Sequence, residues 1–415
     1  MSYNSTIYIN IKQLLQTRDA EEFYVPGNRM DELPKIHNAF LLVENGIIMD
    51  FGNMVNIPKK LENTEVIDLS NSFVMPTWCD AHTHSVFAGN RSNEYLMRLQ
   101  GLTYKQIADS GGGILKTTQE IKNISEEELY SISLKRILKM IQNGSGGIEI
   151  KSGYGLTYES ELKILNVIKK LKDNLPIEIK STFLGAHAYP KELTKKEYLN
   201  LILNKMIPDF TKKKLVDYVD IFCEKGYFSV SDSEKIIKKA KQLKVPAKIH
   251  VNQFNNIGGI QMAITNDLVS VDHLEILDDN DIYALKNSKT MPVLLPGCSF
   301  FLDIPYAPAK KLIKNNIPFA LASDFNPGSS PNGNMNFIVS LACNKLKIST
   351  EQAINAATLN GAYAMGINEK CGSISKGKLA NFIILKEMDS INDLVYYYND
   401  NLIKNVIIKG QVFNS

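Results

Sequence analysis

The chain has 415 residues, of which 44% are hydrophobic and 22% are charged, and these fractions are typical of a folded globular protein. The formal net charge is only +3, from 47 Lys and Arg against 44 Asp and Glu, so neither a nucleic acid nor an anionic membrane is expected as a partner. A chain of this length suits one large α/β barrel plus a smaller unit.

The cysteines are odd in number, lie far apart and form no Cys-x-x-Cys pair: Cys79, Cys223, Cys298, Cys343 and Cys371. Neither a disulfide framework nor a zinc ribbon is indicated, which favours a reducing compartment. The first residues contain no basic segment that leads into an apolar run, so no secretory signal is expected, and no apolar stretch approaches the length of a membrane helix. We therefore expect a cytoplasmic protein.

Both ends of the chain are predicted to be rich in β-strands. Within residues 1–72, Asn45-Gly46 lies between two apolar runs, which is a strong hairpin signal, and a further strand is predicted at 64–69. Short apolar runs separated by Gly and Asn return in residues 366–415. Two such ends around a different middle predict a small composite β-sandwich domain built from both chain ends.

Residues 73–365 alternate apolar strands with amphipathic segments, of which 159–171 and 231–243 are the clearest helices. This alternation is typical of parallel β-α units, and eight such units close a (β/α)8 TIM barrel. The predicted strands are 73–79, 147–151, 177–183, 218–223, 247–251, 268–272, 291–295 and 318–322. The first connection, residues 85–146, is long, and long loops in compact domains are often functional.

Five of the six histidines lie at or just past the C-terminal end of a predicted barrel strand: His82, His84, His187, His250 and His273. Asp324 follows the last strand. The C-terminal rim of a barrel carries the active site, and residues i and i+2 of a strand point to the same side. His82-Thr83-His84 therefore directs two imidazoles into one space, and the whole set predicts a metal site.

The chemistry of these side chains separates their roles. His82, His84 and His250 offer neutral nitrogen ligands and Asp324 a charged oxygen, which suits one zinc or ferrous ion without choosing between them. Such an ion makes hydroxide available near neutral pH. Asp324 is then a candidate to take the proton of the water. His273 is a candidate to orient or protonate the substrate, with a buried structural histidine as the alternative.

Other rim residues indicate a small anionic substrate. Arg91 could clamp a carboxylate in a bidentate fashion, although a structural arginine is the alternative. Gly153-Tyr154-Gly155 follows the second strand, where the glycines permit a close approach to a ligand; a plain tight turn is the alternative. Polar side chains and backbone donors also follow Asp324, at Asn326, Gly328 and Ser329.

The metal-ligand pattern resembles the amidohydrolase superfamily, and longer strings resemble one family within it, the imidazolonepropionases. Such strings are far more specific than the ligands, which many amidohydrolases share. They run through the whole barrel: 80–91 (DAHTHSVFAGNR), 98–117 (RLQGLTYKQIADSGGGILKT), 149–156 (EIKSGYGL), 182–187 (TFLGAH), 220–224 (DIFCE), 248–259, 270–275 (SVDHLE), 294–297 (LLPG) and 322–331 (ASDFNPGSSP).

The resemblance implies hydrolysis of the ring amide of 4-imidazolone-5-propanoate to N-formimino-L-glutamate in histidine degradation. It assigns His82, His84, His250 and Asp324 to one zinc or iron ion. It assigns these residues to the substrate or product: Arg91, Tyr154, His187, Gln253, Asn326, Gly328 and Ser329. His187 joins Asp324 and His273 as a catalytic candidate. A homodimer is implied by the resemblance alone. The alternative function is another cyclic amidase, or a deaminase, that acts on a small carboxylate-bearing ring.

One segment departs from the family pattern. After His250 the chain reads Val251-Asn252-Gln253, where the family has Asp in place of Asn252 and either Glu or Gln at position 253. A glutamine can hydrogen-bond a ring but cannot act as a base. We therefore predict that Gln253 only orients the substrate, and that Asp324 or His273 is the general base.

Overall fold

The computed structural model describes residues 5–59, 63–103, 106–107 and 111–414. Two eight-stranded sheets organise this part of the chain, a parallel barrel and a mixed sheet built from both ends. Parts of two predictions lie outside the described residues, namely the first residues of the chain and the centre of the string at 98–117. Within the described ranges, no helix is both long enough and apolar enough to cross a membrane.

The mixed sheet joins the two ends of the chain, as predicted. Its strands are β1 (Ser5–Leu15), β2 (Lys35–Glu44), β3 (Ile47–Asn53), β4 (Thr64–Asp68), β5 (Phe73–Pro76), β14 (Phe382–Leu385), β15 (Ile403–Ile408) and β16 (Gln411–Val412). They form one connected sheet in the order β16-β15-β14-β5-β1-β2-β3, with β4 beside β1. Asn45 and Gly46 both have positive φ, at 52° and 78°, so the β2–β3 hairpin has the tight turn that the Asn-Gly pair predicts.

The barrel strands follow one another in chain order, each parallel to the next. They are β6 (Trp78–Thr83), β7 (Ser145–Lys151), β8 (Glu178–Ala186), β9 (Tyr218–Cys223), β10 (Ile249–Val251), β11 (Ser270–His273), β12 (Met291–Leu294) and β13 (Ala320–Leu321). Two backbone hydrogen bonds close the seam between the first and last strands. The Asp324 amide donates to the carbonyl of His82 at 3.0 Å, and the His84 amide donates to that of Phe325 at 2.9 Å. The predicted TIM barrel is confirmed.

Helices surround the barrel and bury apolar faces against the strands. Those in the described chain are α1 (Ser92–Leu99), α2 (Ile114–Asn123), α3 (Glu126–Gln142), α4 (Tyr158–Asn174), α5 (Lys195–Leu201), α6 (Ile207–Lys212), α7 (Val230–Gln242), α8 (Gly259–Thr265), α9 (Asp279–Lys286), α10 (Pro296–Leu302), α11 (Ala309–Lys314), α12 (Met335–Leu346), α13 (Thr350–Ala357), α14 (Leu359–Ala364) and α15 (Asp393–Tyr396). The two helices predicted most clearly begin at side-chain caps, because Thr157 and Ser229 accept from backbone amides of α4 and α7.

The first barrel strand begins later than predicted, so the single strand at 73–79 is wrong. Phe73–Pro76 pairs with β1 and β14 in the mixed sheet, whereas Trp78–Thr83 pairs with β7 in the barrel. The switch occurs between adjacent residues. The Thr77 amide donates to Asn381 and the Trp78 amide donates to Gly144, so the chain passes from one sheet to the other within one peptide unit. The apolar run is continuous because both sheets bury it.

A buried polar network ties the mixed sheet to the barrel helices. The Asn355 side chain, on α13, donates to the carbonyls of Met30 and Glu32 at 2.8 and 3.0 Å. Its oxygen accepts from Gln16 at 2.7 Å and from Arg18 at 3.1 Å. Because one amide satisfies four groups that have left water, it fixes the position of the N-terminal segment on the barrel.

We expect Asn355→Ala to lower the free energy of unfolding by at least about 2 kcal/mol, because it leaves several buried polar groups without partners. Urea unfolding followed by circular dichroism measures this change. Asn344→Ala, at an exposed position of α12, is the control and should stay within about 0.5 kcal/mol of the unmodified protein. Equal midpoints for the two variants would contradict a stabilising role for the network.

Candidate active site

Three imidazoles from two strands on opposite sides of the barrel face one point. His82 and His84 come from β6 and its end, and His250 from β10. Their ring centroids are 4.4–5.5 Å apart, and one nitrogen from each lies within 4.8 Å of the others. The pairing of β6 with the segment after β13 adds Asp324, whose Oδ1 is 3.6 Å from His82 Nε2 and 3.7 Å from His84 Nε2.

These spacings fit a single metal ion. Two ligands about 2.0–2.1 Å from zinc, at a tetrahedral angle, lie roughly 3.3 Å from each other. The His250 and His84 Nε2 atoms are 3.4 Å apart, and the Asp324 oxygen completes edges of similar length. His82 Nε2 is buried and has no hydrogen-bond partner among the described residues. An unpaired buried nitrogen inside such a donor set is a metal-binding feature.

Buried carboxylates orient two of the three histidines. Nδ1 of His82 donates to Asp272 at 2.6 Å, and Nδ1 of His250 donates to Asp220 at 3.1 Å. In each ring the Nδ1 proton is therefore held on the side away from the site, so the Nε2 lone pair points into it. Such carboxylate–histidine pairs are the usual support of metal-binding histidines.

Burial favours the neutral form of His82, His84 and His187. It lowers the pKa of His82 well below the usual value, with a further contribution from Lys151. Burial likewise lowers the pKa of His84, helped by His187, and it lowers that of His187 to about 3. A protonated imidazole has no lone pair for a metal, so the lowered pKa values keep His82 and His84 available as ligands across the neutral range.

The backbone at the strand ends is strained where it presents the polar groups. His273, Leu274 and Asp324 have positive φ values of 88°, 69° and 52°. Side chains other than glycine adopt this region at a cost, and such residues cluster at functional sites. The strained turns direct His273 and Asp324 into the same cavity.

Asp324 and His273 are two buried titratable groups of the site whose pKa values are raised. Burial raises the pKa of Asp324, although His273 and His250 oppose the shift, so this carboxylate is a stronger base than an exposed one. Burial lowers the pKa of His273, but Glu275, at 3.3 Å from Nδ1, and Asp324 outweigh it, and the net pKa is raised. His273 can therefore hold a proton close to the carboxylate that would receive one.

A cavity opens above the histidines, and charged, polar and aromatic side chains line its wall. The Arg91 guanidinium lies in its wall and is only 5% exposed. Its Nε donates to Thr117 at 2.9 Å and its guanidinium lies 5.6 Å from the Tyr154 ring centre, but Nη2 has no partner within the described chain. A buried guanidinium with a free N–H group is suited to bind a carboxylate of a ligand.

The loop that carries Tyr154 is held by a residue that the sequence analysis missed. Glu161, on α4, accepts from the backbone amides of Gly153, Gly155 and Leu156 at 2.7–3.1 Å. A Cβ on Gly155 would lie 2.4 Å from the Glu161 amide nitrogen, so the close approach requires glycine. The Gly153 carbonyl accepts from His187 at 3.1 Å, which joins the loop to β8.

The two residues that follow Val251 face different ways. Gln253 lines the cavity and donates to Cys298 Sγ at 3.3 Å. Asn252 points away from the cavity and donates to Ile276 and Asp281 at 2.8 and 3.1 Å. Asn252 therefore supports the loop after β11, and only Gln253 is placed to touch a ligand.

The loop after Asp324 is organised by one asparagine. The Asn326 side-chain oxygen accepts from the amides of Gly328 and Ser329 at 2.8 and 2.7 Å, and its nitrogen donates to Ser329 Oγ at 2.8 Å. Asn326 and Ser329 line the cavity. A Cβ on Gly328 would lie 2.1 Å from an Arg91 nitrogen, so Gly328 makes room for the guanidinium.

The structure thus brings the predicted site residues to one rim, with Gly328 behind Arg91 rather than in the cavity wall. Sequence reasoning missed Asp220, Lys151 and Glu161, which support the site from below. It also missed the apolar wall, formed by Ile114, Phe222, Phe254 and Leu302. Charged residues inside otherwise apolar strands, such as Asp220 in DIFCE, were the available signal for the first group.

The comparisons with known proteins agree with this arrangement. The model of the amidohydrolase family matches residues 73–413. In solved structures, a guanine deaminase from C. acetobutylicum with bound guanine has a TM-score of 0.73 at 16% identity, covering 99% of this chain and 100% of that chain. An adenosine deaminase from Xanthomonas campestris with bound zinc has a TM-score of 0.71 at 16% identity, covering 98% and 92%. At these identities the likeness shows the fold alone.

Curated relatives are much more similar in sequence. Imidazolonepropionase from Christiangramia forsetii is 52% identical over 97% of this chain and 98% of its own length. The enzymes of the same name from Flavobacterium psychrophilum and Clostridium tetani are 52% and 38% identical, and each comparison covers 98–99% of both chains. The chain belongs to the amidohydrolase family and, within it, to the imidazolonepropionases.

The donor geometry predicts about one tightly bound zinc or iron ion per chain, and its loss when a ligand is removed. His250→Ala should lose stoichiometric metal, measured by elemental analysis after gel filtration. His187→Ala, which removes a neighbouring buried imidazole outside the donor set, should retain it. Retention of a full equivalent by the His250 variant would show that the metal is bound elsewhere.

Proposed function

We propose that the protein hydrolyses the ring amide of 4-imidazolone-5-propanoate, with one water, to N-formimino-L-glutamate in histidine degradation. The observation that carries the proposal is the buried Arg91 guanidinium, whose Nη2 has no partner among the described residues, beside a four-residue metal-type donor set. An anionic tail and a cyclic amide match these two features. Relatives named imidazolonepropionase, 52% identical over nearly the full chain, support the same substrate.

His82, His84, His250 and Asp324 would hold the ion, and either zinc or ferrous iron suits three imidazoles and one carboxylate. When bound, such an ion polarises a carbonyl and lowers the pKa of water toward neutrality. The chain itself must then bind the substrate, exclude bulk water and carry out two proton transfers.

Substrate binding starts at the propanoate. The Arg91 fork can pair with both carboxylate oxygens, while Thr117 and the space left by Gly328 hold the guanidinium in place. The planar ring then fits the aromatic part of the cavity, near Tyr154, His187 and Phe222. Gln253 can hydrogen-bond a ring nitrogen or oxygen but cannot remove a proton, so its role is orientation.

Two residues share the proton transfers. Asp324, with its pKa raised by burial, accepts the proton of the attacking water. His273, with its pKa raised by Glu275 and Asp324 despite burial, carries a proton that the departing amide nitrogen requires. The C–N bond of the amide breaks, the carbonyl carbon becomes the new carboxylate, and the nitrogen remains in the formimino group.

Other properties of the enzyme follow from the same proposal. All five cysteines are free, which supports a reducing compartment and hence a cytoplasmic enzyme. Its partner is a small molecule. A homodimer remains part of the proposal because the resemblance implies it.

Hydrolysis of 4-imidazolone-5-propanoate by purified protein tests the function directly. Loss of substrate and formation of N-formimino-L-glutamate are followed with and without a chelator, then after addition of zinc or ferrous iron. We expect turnover that is lost on chelation and restored by metal. Folded, metal-loaded protein without turnover would assign the site to another small carboxylate-bearing ring.

Arg91→Ala should raise KM by about 10- to 100-fold with a smaller change in kcat, because it removes charge-assisted hydrogen bonds worth about 1.5–3 kcal/mol. Arg91→Lys keeps the charge but loses the planar fork, so its KM should lie between those of the unmodified enzyme and Arg91→Ala. Steady-state kinetics measures both constants. An unchanged KM in the alanine variant would exclude Arg91 as the carboxylate clamp.

His273→Ala should lower kcat by about 10²–10⁴-fold, the usual contribution of a general acid–base group. Because His273 lies outside the proposed donor set, metal content should remain at one equivalent, which elemental analysis checks alongside the kinetics. Turnover equal to that of the unmodified enzyme would remove His273 from the mechanism.

A further inference from the structure

Beneath the histidines, the barrel interior contains a cluster of five fully buried charged residues, which we call the buried charge cluster: Glu149, Lys151, Asp220, Lys248 and Asp272. Burying so many ionised groups is costly unless each is paired. The cluster carries three negative and two positive charges, so its arrangement decides which carboxylates are neutralised.

The two lysines of the cluster have different partners. The Lys151 ammonium lies 2.7 Å from Asp220 and 3.3 Å from Asp272, with Glu149 at 2.9 Å. Lys248 contacts Glu149 and donates to the Ala364 carbonyl at 2.7 Å. Lys151 is therefore the cation that bridges the two aspartates, while Lys248 pairs with Glu149.

Those two aspartates are the acceptors of the metal-site histidines. Asp272 receives the Nδ1 proton of His82 and Asp220 receives that of His250. Without a cation between them, the two buried carboxylates would repel each other. They would then move apart, and each would hold its imidazole less firmly in the orientation that points Nε2 into the site.

We propose that Lys151 is a positioning residue for the metal site, because its ammonium keeps Asp220 and Asp272 together as acceptors that aim His250 and His82 at the metal. The inference rests on the proposed function, since it requires that these histidines bind a metal. Lys151 lies on β7, contributes no atom to the donor set and is not among the residues that line the cavity. Its effect passes through two hydrogen bonds, each fixing one imidazole.

Lys151→Met and Lys248→Met form a matched pair for the test. Each removes one fully buried ammonium that contacts Glu149, but only the first removes the contact with the two aspartates. Both proteins are stripped of metal with a chelator, and folding is checked by circular dichroism. Zinc affinity is then measured by competition with a chromophoric chelator, and the visible spectrum of the Co²⁺-loaded protein reports the ligand geometry.

We expect Lys151→Met to weaken zinc binding by about 10- to 100-fold, as loss of support for metal ligands does in general, and to alter the Co²⁺ spectrum. Lys248→Met should bind zinc and Co²⁺ like the unmodified protein. Equal zinc affinities for the two variants, or an unchanged affinity for Lys151→Met, would overturn the inference. Unmodified protein that binds no zinc would instead overturn the proposed metal site.

If either single variant fails to fold, the comparison moves to Glu149→Gln/Lys151→Met against Glu149→Gln/Lys248→Met. Each double variant removes one buried cation and one buried anion, which keeps the cluster's charge balance. The first leaves the aspartates without a cation and should bind zinc more weakly. The second keeps Lys151 between the aspartates and should bind zinc as tightly as the unmodified protein. Equal zinc affinities for the two double variants would again overturn the inference.

Discussion

The seam of the barrel is the constraint on which the rest of the site depends. Two backbone hydrogen bonds join the end of β6 to the segment after β13, and they involve His82, His84 and Asp324 themselves. Closing the sheet and assembling three of the four proposed ligands are therefore one event. A barrel that failed to close would lose the carboxylate from the histidine pair, because these residues lie at opposite ends of the barrel sequence.

Electrostatics inside the barrel follow from burial. Neutral imidazoles are favoured because burial penalises their charged form, and that is the state a metal requires. Both carboxylates that orient them lie close to the Lys151 ammonium. The pKa of Asp220, which burial raises, is brought below its usual value by His250 and Lys151. The chemistry at the rim thus depends on ion pairs between residues that lie deeper in the barrel.

Substrate specificity arises from the loops above the rim and not from the residues inside the barrel. Arg91 immediately precedes α1 and reaches the cavity only because Gly328 leaves space for it. Tyr154 is presented by a loop that Glu161 holds through three amides. The solved deaminases share the barrel at 16% identity, so the fold alone does not select a substrate. The guanidinium with its free N–H group is the feature that favours an anionic ring.

The sequence by itself determined the barrel class, the composite sheet and the candidate ligands, because these depend on local patterns. Side chains alternate along a strand with a period of two residues, so His82 and His84 lie on the same side. The Asn45-Gly46 pair favours a tight turn through its own backbone conformation. The strand prediction at 73–79 failed because an apolar run looks the same whether one sheet buries it or two. Local sequence patterns also could not predict that Phe222 lines the cavity or that Glu161 supports the loop of Tyr154. Only the tertiary structure decided that Lys151 lies between Asp220 and Asp272, since these residues come from three different strands and meet only when the barrel closes.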